Sequence, residues 1–112
     1  MREAEIVLVP LPQADGQIKN RPALFLREMP PFNDALLCGI STQLAREVKG
    51  FDEVITQSDE DFASSGLVSA SVIRLGFLSV VPRNQLLGSI GFVSAARHKR
   101  LLKNLSEYLV KV

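Results

Sequence analysis

The order of strand-like and helix-like segments constrains this chain most. Before Ser94 the apolar runs are short, and each ends at proline, glycine or polar residues. Only after Ser94 do apolar residues recur with helical spacing, with Leu101, Leu105 and Leu109 on one face. Short strands followed by one helix predict a mainly β fold, a strongly bent sheet or partly open barrel with a C-terminal helix.

Turn residues divide the chain into predicted elements. We predict strands over 6–11, 22–26, 35–40, 54–56 and 88–93, and one or two strands over 69–82 with a bend at Gly76. Residues 13–20 are predicted to form the first loop, and the two adjacent prolines at 30–31 a turn, because they fit neither a helix nor a central strand. Ser58 is predicted to cap one helical turn through Phe62, and Ser94 to cap the last helix.

Composition limits the classes of protein that this chain can represent. We expect 112 residues to form one domain, spanning 1–112. The net charge of +1 does not indicate a generally basic nucleic-acid binder, although it permits a local basic groove. The single cysteine, Cys38, is interpreted as a buried core residue. One thiol, no signal peptide and no apolar run of membrane length favour a cytoplasmic protein that does not contact a membrane.

Two polar segments beside predicted strands are candidates for chemistry. Lys19, Asn20 and Arg21 precede the second strand, and the segment 41–43, Ser-Thr-Gln, follows the apolar third strand. Polar residues next to a buried strand are rigidly held, and an arginine fork matches phosphate oxygens. The alternative is a surface arginine and a strand-end hydroxyl that bonds its own backbone. No metal-ligand pattern and no cofactor motif is visible.

Three segments in order resemble the MazF/PemK-type toxin family. They are "EIVLVPLPQADGQIKNRPALFL", "DALLCGISTQ" and "SSGLVSASVIRLGFLSVVPRNQLLGSIGFVS", followed by the amphipathic terminal helix. The resemblance implies a small SH3-like barrel with a C-terminal helix, a homodimer and a bacterial, cytoplasmic toxin restrained by a cognate antitoxin. It further implies a metal-independent, sequence-specific endoribonuclease that cuts single-stranded RNA, an mRNA interferase.

The resemblance also implies roles for individual residues. Arg21 and Ser41 correspond to the family's catalytic arginine and hydroxyl, which is usually threonine. The implied reaction is attack by the ribose 2′-OH on the adjacent phosphorus, with Arg21 stabilising the phosphorane and protonating the leaving 5′-oxygen. Its products are a 2′,3′-cyclic phosphate or 3′-phosphate and a 5′-OH. The implied substrate-binding residues are Lys19, Asn20, Thr42, Gln43 and Arg74.

The chain departs from the family pattern in two further places. Some relatives use an Arg-x-Asp pair in the later strand, where this chain has Arg74 and Gly76. The usual Gly-Asp before the first strand is Ala4-Glu5, which leaves Glu5 as a candidate acid. A catalytic pair of Arg74 with an aspartate is therefore excluded. Either Arg21 and Ser41 carry the reaction, or this member of the family is a weak enzyme.

Several residues outside these segments are predicted to be structural. The terminal helix is expected to expose Arg97, Lys99, Arg100 and Lys103, with His98 in the same solvated face. The acidic segment 52–61 is interpreted as a solvated face that repels RNA. Phe32 and Phe51 are interpreted as core residues, with stacking on a splayed base as the alternative.

Two other functions remain open on the same fold. One is a non-catalytic toxin that binds and poisons a protein such as DNA gyrase through its C-terminal residues. The other is a binding module that has lost the chemistry. A protein binder would not need the pair of Arg21 and Ser41, and the end of the chain, Leu109–Val112, lacks the aromatic residue expected of such a poison.

Overall fold

The computed structural model describes all residues from Met1 to Val112. Its six strands are β1 (Glu5–Pro12), β2 (Ile18–Met29), β3 (Asp34–Ser41), β4 (Glu53–Ile55), β5 (Ser71–Val81) and β6 (Gly88–Phe92). Helices α1 (Phe62–Ser65) and α2 (Ala95–Leu109) and two 3-10 turns, Leu44–Arg46 and Arg83–Gln85, complete the fold. The strands form one curled antiparallel sheet in the order β4–β5–β3–β2–β1–β6. The predicted mainly β, barrel-like fold with a C-terminal helix is confirmed.

One face of the sheet is covered by α2. Leu24 of β2, Cys38 of β3 and Ile73 of β5 share a core with Leu101 and Leu105 of the helix. Burial, with the nearby charge of Asp52, raises the pKa of the Cys38 thiol far above its usual value, so the thiol stays protonated. Cys38 is thus the buried core residue that the sequence indicated.

The opposite face of the sheet holds a second, smaller core. Val7, Phe25 and Leu37 are fully or almost fully buried there, and Leu86 closes the cluster. Because β3 contributes side chains to both cores, its sequence is a nearly continuous apolar run. The second core ends toward Arg21 and Ser41, where the same face of the sheet becomes polar.

The first hairpin is longer than predicted. β1 runs to Pro12 and β2 begins at Ile18, so the loop covers only residues 13–17. β6 pairs with β1 only from Glu5 to Leu8, which leaves that side of the strand free at Pro10 and Pro12. Proline is tolerated there because no ladder hydrogen bond is lost. Lys19 and Asn20 therefore lie in a strand, and the prediction that placed them in a loop is wrong.

The cap of the terminal helix agrees with the prediction, whereas the short helix in the middle of the chain does not. Ser94 caps α2 as predicted, with its hydroxyl accepting a hydrogen bond from the amide of Arg97 at 3.1 Å. The predicted turn capped by Ser58 is wrong, because α1 begins four residues later. That helix ends at Gly66, whose φ of 73° is the left-handed conformation that glycine adopts readily.

The expected solvated face of α2 is partly buried. Arg97 is only 5% exposed and donates to both carboxylate oxygens of Asp61, at 2.9 and 3.2 Å, and to Glu53 at 2.8 Å. Asp61 and Asp52 are buried as well, so the acidic segment is not a purely solvated face. The prediction of exposure is wrong for Arg97, Asp61 and Asp52, because the ion pairs of Arg97 and the backbone amides that donate to Asp52 offset the cost of burying these charges. The other three basic residues of that face are exposed as predicted: Lys99, Arg100 and Lys103.

His98 is likewise not a solvated residue. Its ring is half-buried, and the Nε2–H donates to the carbonyl of Leu26 in β2 at 2.7 Å. This hydrogen bond connects α2 to the centre of the sheet. The histidine therefore has a structural role in docking the helix.

Candidate functional site

An open groove of about 890 Å³ crosses the end of the second core's face. It is bordered by the ends of β1 and β2, the segment after β3, and the first half of β5. Six of the seven predicted site residues line it: Lys19, Arg21, Ser41, Thr42, Gln43 and Arg74. They come from three separate parts of the sequence, and the curvature of the sheet brings them together.

The strand register explains this convergence. Ala23 of β2 pairs with Gly39 of β3, and Gly39 pairs on its other side with Arg74 of β5. Directly paired residues share a face, and residues two positions apart along a strand do as well. Continuing the β2–β3 register by two residues sets Arg21 opposite Ser41 on the face that also carries Arg74.

Arg21 is exposed and anchored at one point only. Its Nη2 donates to the side-chain oxygen of Gln13 at 3.1 Å, and Gln13 in turn donates to the carbonyl of Leu11 at 3.0 Å. A guanidinium has five N–H donors, so most of the fork remains available to a ligand. Gln13 was not predicted as a site residue, and a glutamine in a loop carries no signal in the sequence that would have identified it.

Ser41 is held with its hydroxyl oriented by the backbone. Its Oγ accepts a hydrogen bond from the amide of Gln43 at 3.0 Å, a local contact typical of a residue at the end of a strand. Because the oxygen acts here as an acceptor, the hydroxyl proton is left to donate elsewhere. The structure thus contains the local backbone contact that the alternative interpretation predicted, and that contact leaves the O–H of Ser41 free to act as a donor.

Positive charge is concentrated in the groove. Lys19, Arg21, Arg46 and Arg74 line it, with Asp15 as the one carboxylate. None of these four cations takes part in the ion pairs of the chain. A groove with unpaired cations attracts polyanions even though the whole chain carries a net charge of only +1.

Arg46 is a groove residue that the sequence analysis missed. It ends the 3-10 turn after β3, and its Nε donates to the side-chain oxygen of Gln43 at 2.7 Å. This bond occupies the predicted substrate-binding amide, so Gln43 and Arg46 form a joint polar unit. The spacing of three residues between them was a usable signal, because one turn of 3-10 helix brings such residues together.

Two other candidates lie away from the groove. Asn20 is exposed on β2, where strand alternation points it to the opposite face from Lys19 and Arg21. Glu5 pairs with Phe92 at the far end of β1 and forms an ion pair with Arg2 at 3.6 Å. The groove therefore does not contain the glutamate that was considered as an acid.

The two predicted phenylalanines also lie elsewhere. Phe32 is 79% exposed in the turn between β2 and β3, so its interpretation as a core residue is wrong. Phe51 is half-buried against Tyr108 of α2, with the ring centroids 5.1 Å apart. The aromatic residue that does line the groove is Phe77 in β5.

Two further properties of the fold bear on function. No three histidine, cysteine, aspartate or glutamate side chains are grouped as a metal site would require. No helix is long and apolar enough to cross a bilayer.

Comparisons with known proteins agree with this architecture. A solved structure that the chain resembles is the Mycobacterium tuberculosis toxin MazF-mt6, with a TM-score of 0.66 and 22% identity, covering 94% of this chain and 95% of that one. At this identity the likeness supports the fold alone. No curated protein matches the chain.

A family model carries the assignment further than the solved structure does. The model is described as PemK-like, MazF-like toxin of type II toxin–antitoxin system, and it matches residues 2–109. The match includes every strand, the whole of α2 and all the residues that line the groove. This chain belongs to the PemK-like, MazF-like toxin family of type II toxin–antitoxin systems.

Proposed function

We propose that this toxin is a metal-independent endoribonuclease that cuts single-stranded RNA at a short sequence, with Arg21 and Ser41 as its catalytic residues. The observation that supports this most is the convergence of both residues in one groove with three other unpaired cations. A phosphodiester gains negative charge in the transition state, and prearranged donors stabilise that charge. The proposal includes a cytoplasmic homodimer whose cognate antitoxin restrains it.

The proposed reaction uses the hydrogen-bond donors of Arg21 and Ser41 that no protein group occupies. The 2′-oxygen attacks the adjacent phosphorus, the bond from phosphorus to the 5′-oxygen breaks, and the fork of Arg21 binds the phosphorane oxygens. The hydroxyl of Ser41 donates to a phosphoryl oxygen, because its own oxygen already accepts from the amide of Gln43. The resemblance implies that Arg21 protonates the leaving 5′-oxygen. Because a guanidinium stays protonated in proteins, we instead assign to water in the open groove both the removal of the 2′-OH proton and the protonation of the 5′-oxygen.

Substrate class follows from the same step. DNA lacks the attacking 2′-OH, so only RNA yields a 2′,3′-cyclic phosphate and a 5′-OH. The cyclic ester opens to a 3′-phosphate when water adds to it. Lys19, Arg46 and Arg74 would bind phosphates along the RNA strand, and Thr42 and Gln43 would contact a base edge.

A cleavage assay tests the proposal. Purified protein is incubated with a long single-stranded RNA in EDTA, and the new ends are mapped. We expect discrete cuts at one short sequence, and a loss of about 10²- to 10³-fold in rate for Arg21→Ala, the typical cost of removing one donor to a transition-state anion.

The matched control is Arg27→Ala. Arg27 lies on the same strand but outside the groove, 61% exposed and paired with Glu3 at 3.4 Å. Equal loss of cleavage in both variants would mean that general charge, and not Arg21 itself, drives the reaction. Intact RNA from the folded wild-type protein would reject the ribonuclease.

One observation favours the alternative of a toxin that poisons a protein target such as DNA gyrase. The end of α2 exposes Tyr108, Leu109 and Val110, each more than 60% accessible. An exposed apolar chain end is suited to binding a protein. Growth arrest that survives Arg21→Ala and is lost on truncation after Glu107 would favour this second function.

A further inference from the structure

A bulge in β5 places an aromatic ring in the same groove as the proposed catalytic residues. The ladder between β3 and β5 passes from Cys38 paired with Leu78 directly to Gly39 paired with Arg74. Three β5 residues, 75–77, therefore stand between two consecutive β3 positions. In a regular strand Arg74 and Phe77 would point to opposite faces, but the bulge returns both to the groove.

A hydrogen bond to a buried aspartate holds the bulge in place. The amide of Leu75, which has no ladder partner there, donates to Oδ1 of buried Asp52 at 2.9 Å, while the other oxygen of Asp52 accepts from the amide of Val48 at 2.8 Å. Leu75 itself is fully buried in the core under α2. The position of the ring is thus set by a rigid part of the fold.

The ring of Phe77 packs against Gly39, which has no side chain. A Cβ at Gly39 would lie 3.1 Å from Cδ1 of the ring, closer than an ordinary van der Waals contact. The guanidinium of Arg74 lies 5.6 Å from the ring centroid, within range of a cation–π interaction. With a glycine beneath it and an arginine beside it, the ring remains 38% exposed.

The combination of an accessible ring and cations matches one ligand class. Proteins that bind unpaired nucleic acid strands use aromatic rings and arginine planes as stacking surfaces between phosphate-binding cations. Arg21 and Arg46 supply such cations in this groove, and Ser41 and Thr42 lie in it as well. A ring kept for core packing would be expected to be buried rather than lie in an open groove.

We propose that Phe77 stacks on one unpaired base next to the scissile phosphate and thereby positions the RNA, with Arg74 completing the stacking surface. The inference rests on the proposed ribonuclease function and adds a positioning residue to it. It predicts that one nucleotide beside the cut is held by its base plane and tolerates different bases, because every base has a π face.

The experiment combines a protein variant with a base deletion. Once the cut site is mapped, an RNA with a 2′-deoxy nucleotide at the cut prevents cleavage, and its dissociation constant is measured by fluorescence anisotropy. Phe77→Leu keeps apolar bulk and removes the ring face. We expect it to weaken binding on the order of 10-fold and to raise KM more than it lowers kcat.

Abasic substitutions then identify the stacked nucleotide. At one position beside the cut we expect the abasic RNA to bind the wild type about as weakly as Phe77→Leu binds intact RNA, with no further loss when both changes are combined. A purely structural role of Phe77 would give additive losses at every abasic position, which would overturn the inference. The matched control is Phe32→Leu, because Phe32 is exposed outside the groove and should bind like the wild type.

The outcomes separate the two proposals. A wild type that cuts RNA while Phe77→Leu binds equally well overturns the stacking role and leaves the ribonuclease intact. A folded wild type that neither cuts nor binds RNA overturns the ribonuclease and this inference with it. Melting temperatures of both phenylalanine variants show that each one is folded.

Discussion

Arg97 and Arg21 are the same side chain in two opposite settings. Arg97 is almost fully buried and contacts the carboxylates of Asp61, Glu53 and Asp59 within 3.5 Å. Arg21 is exposed in the groove and bonds only the neutral amide of Gln13. The first arginine has its donors satisfied by the protein, and the second keeps most of them free.

The difference shows how this small fold separates stability from ligand binding. Carboxylates are gathered on the side of α2, where they neutralise Arg97, and nearly all are kept out of the groove. A buried charge is costly without its partners, whereas an exposed one is solvated and costs little. Substitutions on the α2 side should therefore change unfolding, and substitutions in the groove should change activity.

We expect the largest effect when the buried ion pairs beside α2 are broken, which lowers the free energy of unfolding. Arg97→Ala leaves the buried carboxylate of Asp61 without its bidentate partner, which should lower the free energy of unfolding by about 3–5 kcal/mol. Urea unfolding followed by circular dichroism measures it. Arg100→Ala is the control, because Arg100 is 55% exposed and its pair with Glu53 should contribute less than about 1 kcal/mol. Similar losses in both would contradict the role given to burial.

The next effect belongs to the groove. Ser41→Ala removes a donor to the phosphoryl oxygen and should slow RNA cleavage by roughly 10²-fold, with KM changed less than kcat. Unfolding should change by less than about 1 kcal/mol, because one exposed local hydrogen bond is lost. Ser41→Thr should retain activity, since it keeps the hydroxyl. An alanine variant as fast as the wild type would remove Ser41 from the mechanism.

We expect a smaller effect of pH on the stability of the fold, through the buried carboxylate of Asp61. Burial alone would raise the pKa of Asp61, but hydrogen bonds from Arg97 and the amide of Ser94 outweigh it, and the pKa lies below its usual value of 3.8. Since the folded-state pKa is lowered, this contribution to stability is complete above the unfolded pKa and is lost as pH falls through the folded pKa.

Urea unfolding between pH 3 and 7 checks the direction of that effect. Asp61→Asn should be less stable at neutral pH, and its stability should fall less steeply than that of the wild type as the solution is acidified. Parallel pH profiles for the two proteins would contradict the assignment. RNA cleavage by the folded variant should be unaffected, because Asp61 does not line the groove.

The smallest effect tests the missing aspartate of the Arg-x-Asp pattern. A Cβ at Gly76 would meet nothing within 4 Å, so Gly76→Asp should fold with a change in unfolding free energy of about 0.5 kcal/mol or less. Gly76 does not line the groove, so cleavage should stay within about threefold of the wild type. A large gain in rate would show that Arg74 takes a catalytic role once an acid is supplied.

The sequence predicted the strands and the terminal helix better than it predicted which side chains are buried or paired. Apolar runs and turn residues located all six strands and α2, because side-chain alternation and caps are local properties. The loop of residues 13–20 was overestimated because residues 18–20 are exposed and mostly polar, and only their pairing with residues 10–12 of β1 places them in a strand. Arg97 was likewise predicted to be exposed, because it lies among several other basic residues of the same helix.

The candidate site shows the same division. Arg21 and Ser41 were identified from their places beside strands and from the family resemblance, and both line the groove. Gln13 and Phe77 were not, because Gln13 contacts Arg21 across the hairpin and Phe77 enters the groove through a bulge, and short-range patterns encode neither. Arg46 was missed although its spacing of three residues from Gln43 was a usable signal. Asn20 lies outside the groove because strand alternation turns it to the opposite face.

What this sequence determined by itself is the set of strands, the terminal helix and the toxin-like polar segments at their ends. Only the tertiary structure decided which charges are paired and which remain free. Arg97 and Glu53 are 44 residues apart, and Arg74 and Phe77 share a face only through the β5 bulge. Burial and pairing are long-range properties, because they depend on which distant side chains the curled sheet brings within a few ångströms.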